Sequence, residues 1–409
     1  MLKVCFYSLF IPVYVNVCAQ QIQTFRDPAS KKYGLKDAAG KIIVTPKYDT
    51  VEAFKNNVAV VGKKITWSDY KYGLINKTGK EIVPLVYETV YTDAGIVVVQ
   101  ADDKYGFMDK TGKKLSPLKY NNVWEFSDGI AGVEIYDRDK GEGKWGFVDN
   151  TGKVVIPVKY DRVLSNKKGV IAEREGKYFA VAKSGKEIPL NYERIGHAAY
   201  GLLLVKQNNK FGFINAKGEV VIPLKYDNAW DFSTWQRTGY LSNVRIGNKS
   251  GFIDTSGKEV IPLTYDWAGL FREGLAKVTM NPVPAGESKN GFVDSAGHLV
   301  IPMIYNSAGN FSEGMAAVSK KSGGRNFFYG YIDRSGKEVI PFSFESADEF
   351  SEGLAAVKLN GKWGFIDKEG NVVIPYKYKS VINGFNYKRA KVVLDDDKLI
   401  TIDKTGKEN

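Results

Sequence analysis

The sequence contains very little cysteine or histidine. Of its 409 residues only two are cysteine and two are histidine, and both cysteines, Cys5 and Cys18, lie in the first 19 residues. Without that segment the chain has no disulfide, no thiol nucleophile and no thiolate metal ligand. The two histidines, His197 and His298, have no cysteine or histidine beside them, which is too few ligands for most histidine-based metal sites. We therefore expect no metal and no cofactor.

Long hydrophobic runs are absent, apart from one short run at the start of the chain. Residues 4–17 are apolar, follow one positive charge, and end at Val17-Cys18-Ala19. This run is too short for a membrane-spanning helix and has the form of a secretory signal peptide, cleaved after Ala19. Cys18 offers a lipid anchor as the alternative, which is disfavoured because Val17 is bulkier than lipoprotein signals usually allow. We expect a mature chain in the periplasm, on the cell surface or outside the cell, without a transmembrane segment.

Beyond residues 20–30, which we interpret as a short linker, residues 31–409 consist of one repeated unit without helical periodicity. A glycine, usually after an aromatic residue, recurs every 33 to 40 residues, with Phe179 and Ile400 at the same position in two degenerate copies. A second glycine follows six residues later, and then, in ten copies, a proline and an aromatic residue that is usually tyrosine. The first glycines are Gly34, Gly73, Gly106, Gly146, Gly212, Gly251, Gly291, Gly330 and Gly364. The chain thus holds ten full copies and a terminal fragment.

Each copy predicts three β-strands. In the best-preserved copy, residues 354–357, 363–367 and 371–375 are short runs rich in β-branched and aromatic residues, bounded by glycine or proline. Residues 367–370 begin with Asp and end with Gly, which favours a type I turn that ends in a left-handed glycine. Aspartates that open such turns are expected to bond the turn backbone rather than act in catalysis. The sequence therefore predicts an all-β protein of tandem three-stranded antiparallel meanders.

Two copies resemble a known family. Residues 144–149 are Lys-Trp-Gly-Phe-Val-Asp, residues 362–367 are Lys-Trp-Gly-Phe-Ile-Asp, and residues 350–357 are Phe-Ser-Glu-Gly-Leu-Ala-Ala-Val. With the following Val-Ile-Pro elements, they are similar to the bacterial WG-repeat (KWG-repeat) proteins, although most copies here carry Tyr or Phe instead of Trp. The resemblance implies a β-repeat scaffold, often exported, with no family-wide enzyme activity or cofactor.

Such repeats form either an open array or a closed ring. We count eleven middle strands, because the repeat begins at residue 33 with a middle strand, but only ten first strands and ten third strands. A ring sealed by strand exchange would need complementary counts, and typical propellers have four to eight blades. The count favours an open twisted array, with one or more β-propeller-like rings as the alternative.

Candidate binding residues lie where the repeat pattern changes. The longer copies carry extra residues after the first strand, at 63–70, 136–143, 280–288 and 320–328, and insertions at equivalent points of a repeat array often form its binding face. Trp145 and Trp363 belong to the repeat pattern, so we assign them a packing role. The weak binding candidates are the aromatic residues that depart from the repeat or lie in these insertions: Trp67, Tyr70, Trp124, Trp230, Trp267, Phe327 and Phe328.

Composition and pattern together favour binding over catalysis. No pair of carboxylates stands apart from the turn pattern, and no phosphate-binding loop or nucleophile elbow occurs. The net charge of +12 comes largely from lysines repeated at turns, and export argues against nucleic acid as the partner. We expect an exported, non-enzymatic scaffold in the bacterial cell envelope that binds another protein or an envelope polymer. The alternatives are a carbohydrate-binding protein and, less favoured, a glycan-active enzyme.

Overall fold

The computed structural model describes residues 22–165, 167–232, 240–281, 287–322 and 326–408. Within these ranges the chain is all-β and contains no helix, so no helix there is available to span a membrane. The predicted signal peptide, residues 1–19, lies outside the described residues. The chain divides into two compact units.

The first unit comprises the described residues up to Arg162, together with residues 183–185. Its strands are β1 (Gln23–Arg26), β2 (Tyr33–Lys36), β3 (Ile42–Tyr48), β4 (Thr50–Val51), β5 (Val58–Lys64), β6 (Tyr70–Asn76), β7 (Glu81–Tyr87), β8 (Thr89–Asp93), β9 (Ile96–Ala101), β10 (Lys104–Met108), β11 (Asn122–Val123), β12 (Ile130–Asp137), β13 (Glu142–Asp149) and β14 (Val154–Tyr160). They form four separate sheets: β1–β3, β4–β7, β8–β10 and β11–β14.

The second unit comprises the described residues from Val163 onward, without residues 183–185. The remaining strands are β15 (Arg162–Ser165), β16 (Val170–Arg174), β17 (Lys177–Val181), β18 (Glu187–Leu190), β19 (Arg194–Ala199), β20 (Leu202–Gln207), β21 (Lys210–Asn215), β22 (Val220–Tyr226), β23 (Asn228–Ala229), β24 (Ser242–Ile246), β25 (Lys249–Ile253), β26 (Glu259–Tyr265), β27 (Trp267–Arg272), β28 (Leu275–Met280), β29 (Lys289–Asp294), β30 (Leu299–Tyr305), β31 (Ser307–Ala308), β32 (Met315–Lys321), β33 (Phe327–Asp333), β34 (Glu338–Phe344), β35 (Ser346–Ala347), β36 (Ala355–Leu359), β37 (Lys362–Ile366), β38 (Val372–Tyr378), β39 (Ser380–Asn386), β40 (Arg389–Val393) and β41 (Leu399–Asp403). They form the sheets β15–β18, β19–β22, β23–β26, β27–β30, β31–β34, β35–β38 and β39–β41.

The predicted antiparallel meander is confirmed. Within each sheet the strands pair in chain order, and no sheet in the described ranges closes on itself, in agreement with the predicted open tandem array. The predicted turn is also present: Gly370 has a φ of +86°, and its N–H donates to the carbonyl oxygen of Asp367 at 3.1 Å. The Asp367 carboxylate accepts the N–H groups of Glu369 and Asn371 at 3.1 and 2.8 Å. This aspartate therefore has the structural role that the sequence predicted.

A short strand before the three predicted strands was not anticipated. In most sheets it begins two residues after the repeat tyrosine; in β4, for example, the chain pairs with β5 and Asp49 N–H donates to Gly62 O at 2.9 Å. We call this the leading strand. In addition, β1 lies within the predicted linker 20–30 and pairs with β2 as a first strand. The predicted count of ten first strands is therefore wrong, and the argument from that count no longer separates an array from a ring.

The core lies between consecutive sheets. A Phe or Tyr on the middle strand of one sheet packs against a Phe just before the first strand of the next, with centroid distances of 4.8 to 5.0 Å in the second unit. These pairs are Phe213–Phe232, Phe252–Phe271, Phe292–Phe311, Tyr331–Phe350 and Phe365–Phe385. All ten rings are at least nine-tenths buried. The four sheets from β23–β26 to β35–β38 thus use both faces for packing, as the alternation of side chains along a strand allows.

The turn glycine has a second role, because it approaches the preceding sheet closely. A Cβ added to Gly112 would lie 1.9 Å from the carbonyl oxygen of Ile82, and one added to Gly297 would lie 2.5 Å from that of Val260. Gly40, the corresponding glycine of the first sheet, has no atom within 4 Å of such a Cβ. The recurring second glycine therefore permits both the turn and the contact between sheets.

The recurring Phe-Ser-Glu-Gly sequence links neighbouring sheets through hydrogen bonds. The glutamate occupies the turn before the first strand, and its carboxylate accepts a backbone N–H from the same turn of the next sheet. In the second unit these bonds are Gly314 N to Glu273 at 2.9 Å, Gly353 N to Glu313 at 3.0 Å and Lys388 N to Glu352 at 3.0 Å. The serine adds a bond, since Ser312 Oγ donates to Phe350 O at 2.7 Å. The motif was recognised in the sequence, but its role in linking the sheets was not predicted.

Candidate binding surface

Trp67 is at the tip of the hairpin between β5 and β6, one of the predicted insertions. The tip is held by hydrogen bonds: Ile65 N donates to Asp69 O at 2.8 Å, and Thr66 Oγ1 donates to the Asp69 carboxylate at 2.6 Å. The indole is 90% exposed. Tyr70, at the base of the hairpin, stacks on Tyr72 with a centroid distance of 6.1 Å. A large apolar ring on a fixed turn is suited to anchor a partner.

Trp124 is engaged within its own sheet. Its ring centroid lies 4.4 Å from that of Trp145, and its indole covers Gly132, where an added Cβ would approach to 2.8 Å. Both tryptophans are half-buried. The packing role predicted for Trp145 is therefore present, and Trp124, a binding candidate, shares it.

Trp230 borders an open cleft. Its backbone N–H donates to Asn243 O at 3.0 Å, and Ser242 Oγ donates to its carbonyl oxygen at 2.5 Å, while the side chain remains 53% exposed. The cleft has a volume of about 400 Å³, and its other wall includes Gly196 and Phe211 of the preceding sheet. His197 also lines it.

Trp267 is 46% exposed, but its position is fixed by two contacts. Its indole covers Gly269, where an added Cβ would lie 2.3 Å from the ring. The Lys277 ammonium lies 4.9 Å from the ring centroid, within cation–π range, and donates to Ala308 O at 2.7 Å. Burial lowers the pKa of Lys277 from its ordinary value. The exposed face of Trp267 remains accessible to a ligand.

Phe327 and Phe328 begin β33, in another predicted insertion. Phe327 is 40% exposed and lines a shallow cleft of about 290 Å³ together with Glu287 and Tyr329, whereas Phe328 is half-buried. Part of this insertion, residues 323–325, lies outside the described residues, as does 282–286 in the neighbouring one. The two described insertions, 63–70 and 136–143, both form hairpins between a first and a middle strand.

Many of the recurring charges are paired along the surface. The lysine that precedes or begins the middle strand reaches the acidic residue after the repeat tyrosine, as in Lys210–Asp227 at 2.5 Å and Lys249–Asp266 at 2.7 Å. Exposed pairs of this kind contribute about 0–1 kcal/mol each. The hydrogen bond from Lys210 and that from the backbone of Gly247 lower the pKa of Asp227. These lysines pair with acidic residues at recurring positions of the repeat. The pairing agrees with the prediction that the +12 charge arises from the repeated architecture.

Neither histidine belongs to a group of potential metal ligands among the described residues. His298 is exposed and its ring Nδ1 lies 3.0 Å from the carboxylate of Asp294, four residues before it. His197 is exposed at the rim of the Trp230 cleft. Within the described ranges no three histidine, cysteine or acidic side chains are grouped for a metal ion.

The cleft beside Trp230 was not predicted from the sequence, although a signal for it exists. The residue four positions after the repeat tyrosine is Trp124 in one copy and Trp230 in another, but Gly196 in the copy between Tyr192 and Gly212. A glycine at a position that elsewhere holds an indole leaves space on the sheet. That signal becomes visible only when the strand register is known.

The family comparison covers most of the chain. The model of the "WG containing repeat" matches ten segments, namely residues 33–64, 72–105, 105–138, 145–186, 187–211, 211–234, 251–281, 291–322, 329–363 and 363–397. No curated protein sequence matches.

Among solved structures, similar chains include a eukaryotic initiation factor, with 13% identity and a TM-score of 0.31 over 83% of this chain and 97% of that one. The extracellular domain of BT4673 from B. thetaiotaomicron has 12% identity and a TM-score of 0.25 over 98% of this chain and 78% of that one. PorZ, a surface component of the type-IX secretion system of Porphyromonas gingivalis, has 10% identity and a TM-score of 0.21 over 94% and 58%. At these scores the likenesses carry no argument about function.

Proposed function

Because this chain belongs to the family of proteins built from the WG containing repeat, we propose that it is an exported, non-enzymatic scaffold that binds a partner protein in the bacterial cell envelope. The repeat determines the fold of the chain. The proposed function depends on the side chains that this fold exposes to solvent.

One observation supports the proposal above all: the most exposed tryptophan among the described residues lies on a hairpin that departs from the repeat. Trp67 is 90% exposed on a tip fixed by Asp69, whereas the repeated Phe, Glu and Gly positions pack or bond neighbouring sheets. Tryptophan is enriched among the residues that dominate protein interfaces. A fixed, solvent-exposed indole is therefore better explained by a partner than by stability of the fold.

Export is supported by the pattern of residues 1–19, a short apolar run that ends in small residues. Mass spectrometry of the protein recovered from its native host tests this point. We expect a mature chain that starts at Gln20; recovery of an uncleaved cytoplasmic chain would contradict export.

Chemical crosslinking with mass spectrometry in the native host tests the scaffold function. We expect one or more envelope proteins to be crosslinked to residues near the β5–β6 hairpin. Trp67→Ala should reduce their co-purification at least fivefold, the effect of losing about 1 kcal/mol at an interface. Ser68→Ala is the matched control, because it changes the same tip but keeps the indole. The proposal would be contradicted if the Trp67 variant still co-purified with every partner, or if the purified protein turned over a glycan.

Carbohydrate binding is the second candidate, and a specific observation favours it. The side chains of Trp230 and Trp267 are about half exposed; the backbone of Trp230 is bonded to its own sheet, and the indole of Trp267 covers Gly269. An exposed, immobilised aromatic face suits stacking against the apolar face of a sugar ring. A glycan panel tested with Trp230→Ala and Trp267→Ala decides this: equal signals for wild type and both variants would exclude these two surfaces.

A further inference from the structure

The cleft beside Trp230 occupies a space that an indole fills elsewhere in the same chain. In the sheet β11–β14, Trp124 follows Val123, which pairs with Val133, and its indole packs on Gly132 and Trp145. In the sheet β19–β22, Ile195 pairs with Val205 in the same register. The residues that correspond to Trp124, Gly132 and Trp145 are therefore Gly196, Leu204 and Phe211.

These substitutions remove the ring, place a leucine where the other sheet has the glycine that the ring covers, and keep an aromatic residue beside it. Gly196, Leu204 and Phe211 all line the cleft, and Trp230 of the next sheet lies on its other side. Leu204 and Phe211 are half-buried rather than covered. The cleft retains about 400 Å³ beside Leu204, Phe211 and Trp230, a largely apolar lining suited to an aromatic ring, which buries about 150–250 Å² when enclosed. We call this space the Gly196 cleft.

The rim of the Gly196 cleft favours an anion. Arg194 and Lys206 both line it and are direct cross-strand partners in β19 and β20. Like charges in directly opposite positions destabilise a sheet, and the corresponding pair in the other sheet is Asn122 with Glu134.

The existing acidic groups only partly compensate for this charge. Lys206 has Glu193 at 3.7 Å, whereas Arg194 is exposed and has no ion-pair partner among the described residues. Asp231, on the wall opposite, is the acidic residue that lines the cleft. A ligand carboxylate beside the ring would relieve the repulsion between the two cations.

We infer that the Gly196 cleft binds an aromatic side chain of a partner protein that has an acidic residue next to it. This inference rests on the proposed scaffold function and specifies how one part of the partner would be recognised. The ring would fill the space over Phe211 and Leu204, against Trp230, and the carboxylate would meet Arg194 and Lys206.

The variant Gly196→Trp tests the inference directly, because its indole would occupy the cleft from within the chain and compete with the ligand. Gly196 does not have a left-handed φ, and the nearest atom to an added Cβ is 3.6 Å away, so the backbone accepts a side chain there. Arg194→Glu tests the anionic part. Arg138→Glu, at an exposed arginine remote in the sequence, is the control for net charge.

The probe is the peptide acetyl-Glu-Trp-Glu-amide, titrated by calorimetry against the full-length mature chain. We expect saturable binding to wild type with a Kd of about 1 mM or tighter, at least tenfold weaker binding to Gly196→Trp and to Arg194→Glu, and no change for Arg138→Glu. No binding to wild type, or equal binding by Gly196→Trp, would overturn the inference. Binding of an oligoglucuronate in place of the peptide would overturn it too and would favour the carbohydrate alternative.

The same variants separate this inference from the proposed function. If Gly196→Trp still captures the envelope partner from the native host, the scaffold function stands and the inference about the cleft is wrong. If no partner is captured but the peptide binds and Gly196→Trp blocks it, the cleft is confirmed as a peptide site and the scaffold function is wrong.

Discussion

Replacing a turn glycine by alanine should measure the contact between neighbouring sheets. Gly112 and Gly40 have nearly equal φ angles, +85° and +83°, so alanine meets the same backbone strain at both positions. That strain amounts to roughly 1–2 kcal/mol. At Gly112, however, the new Cβ would lie 1.9 Å from Ile82 O of the preceding sheet, whereas at Gly40 no atom lies within 4 Å.

The difference between the two losses of unfolding free energy therefore measures the cost of a side chain at the close contact between the sheets. Relieving the overlap at Gly112 requires a backbone shift, which costs about 1–3 kcal/mol in a packed interior. We expect Gly40→Ala to lower the free energy of unfolding by about 1–2 kcal/mol and Gly112→Ala by about 2–5 kcal/mol. Urea unfolding followed by circular dichroism gives both values, because both glycines lie in the first unit. Equal losses for the two variants would refute the role assigned to the second glycine.

Three further predictions concern individual carboxylates. Glu313→Ala should destabilise the chain by about 1.5–3 kcal/mol in urea unfolding, because it leaves the Gly353 N–H without its charged acceptor; no loss would contradict the linking role of the motif. Burial raises the pKa of Asp348, so its ionised form costs stability at neutral pH: Asp348→Asn should raise the Tm at about pH 7 but not at about pH 2, below both the folded and the ordinary pKa. The Ser256 hydroxyl lowers the pKa of Asp254, so the stability lost in Asp254→Asn should be largest above the ordinary value of about 3.9 and should disappear as the pH falls through the lowered value. A loss that is independent of pH would contradict this cause.

The fold was largely predictable because the same turn and strand pattern recurs in every copy of the repeat. The Asp and Gly of the turn at 367–370 predict the hairpin, and the flanking runs 363–367 and 371–375 are rich in the aromatic and β-branched residues typical of strands. The leading strand was not predictable in the same way. In β4 it consists of two residues, Thr50 and Val51, too few to show a period of two, and its pairing depends on hydrogen bonds to β5.

The candidate surface was predictable only in part, because exposure depends on the neighbouring residues rather than on the aromatic residue itself. Trp67 lies in an insertion and is exposed, as the insertion suggested. Trp124 departs from the repeat equally clearly, yet Gly132 lies beneath it and Trp145 beside it, so the ring is partly enclosed. The sequence shows that Trp124 departs from the repeat. Only the strand register shows that its ring packs on Gly132.

Glycine at the fourth position after the repeat tyrosine also shows that exposure depends on the neighbouring residues. Gly196, Gly269 and Gly309 occupy this position in different sheets, and Gly196 lines the cleft described above. At Gly269 the indole of Trp267, two residues earlier, covers the glycine. An absent side chain thus creates a binding space only where no neighbour covers it. Filling the Gly196 cleft with tryptophan should therefore remove a ligand site and preserve the sheet, whereas Trp267→Ala should open a second space of the same kind over Gly269.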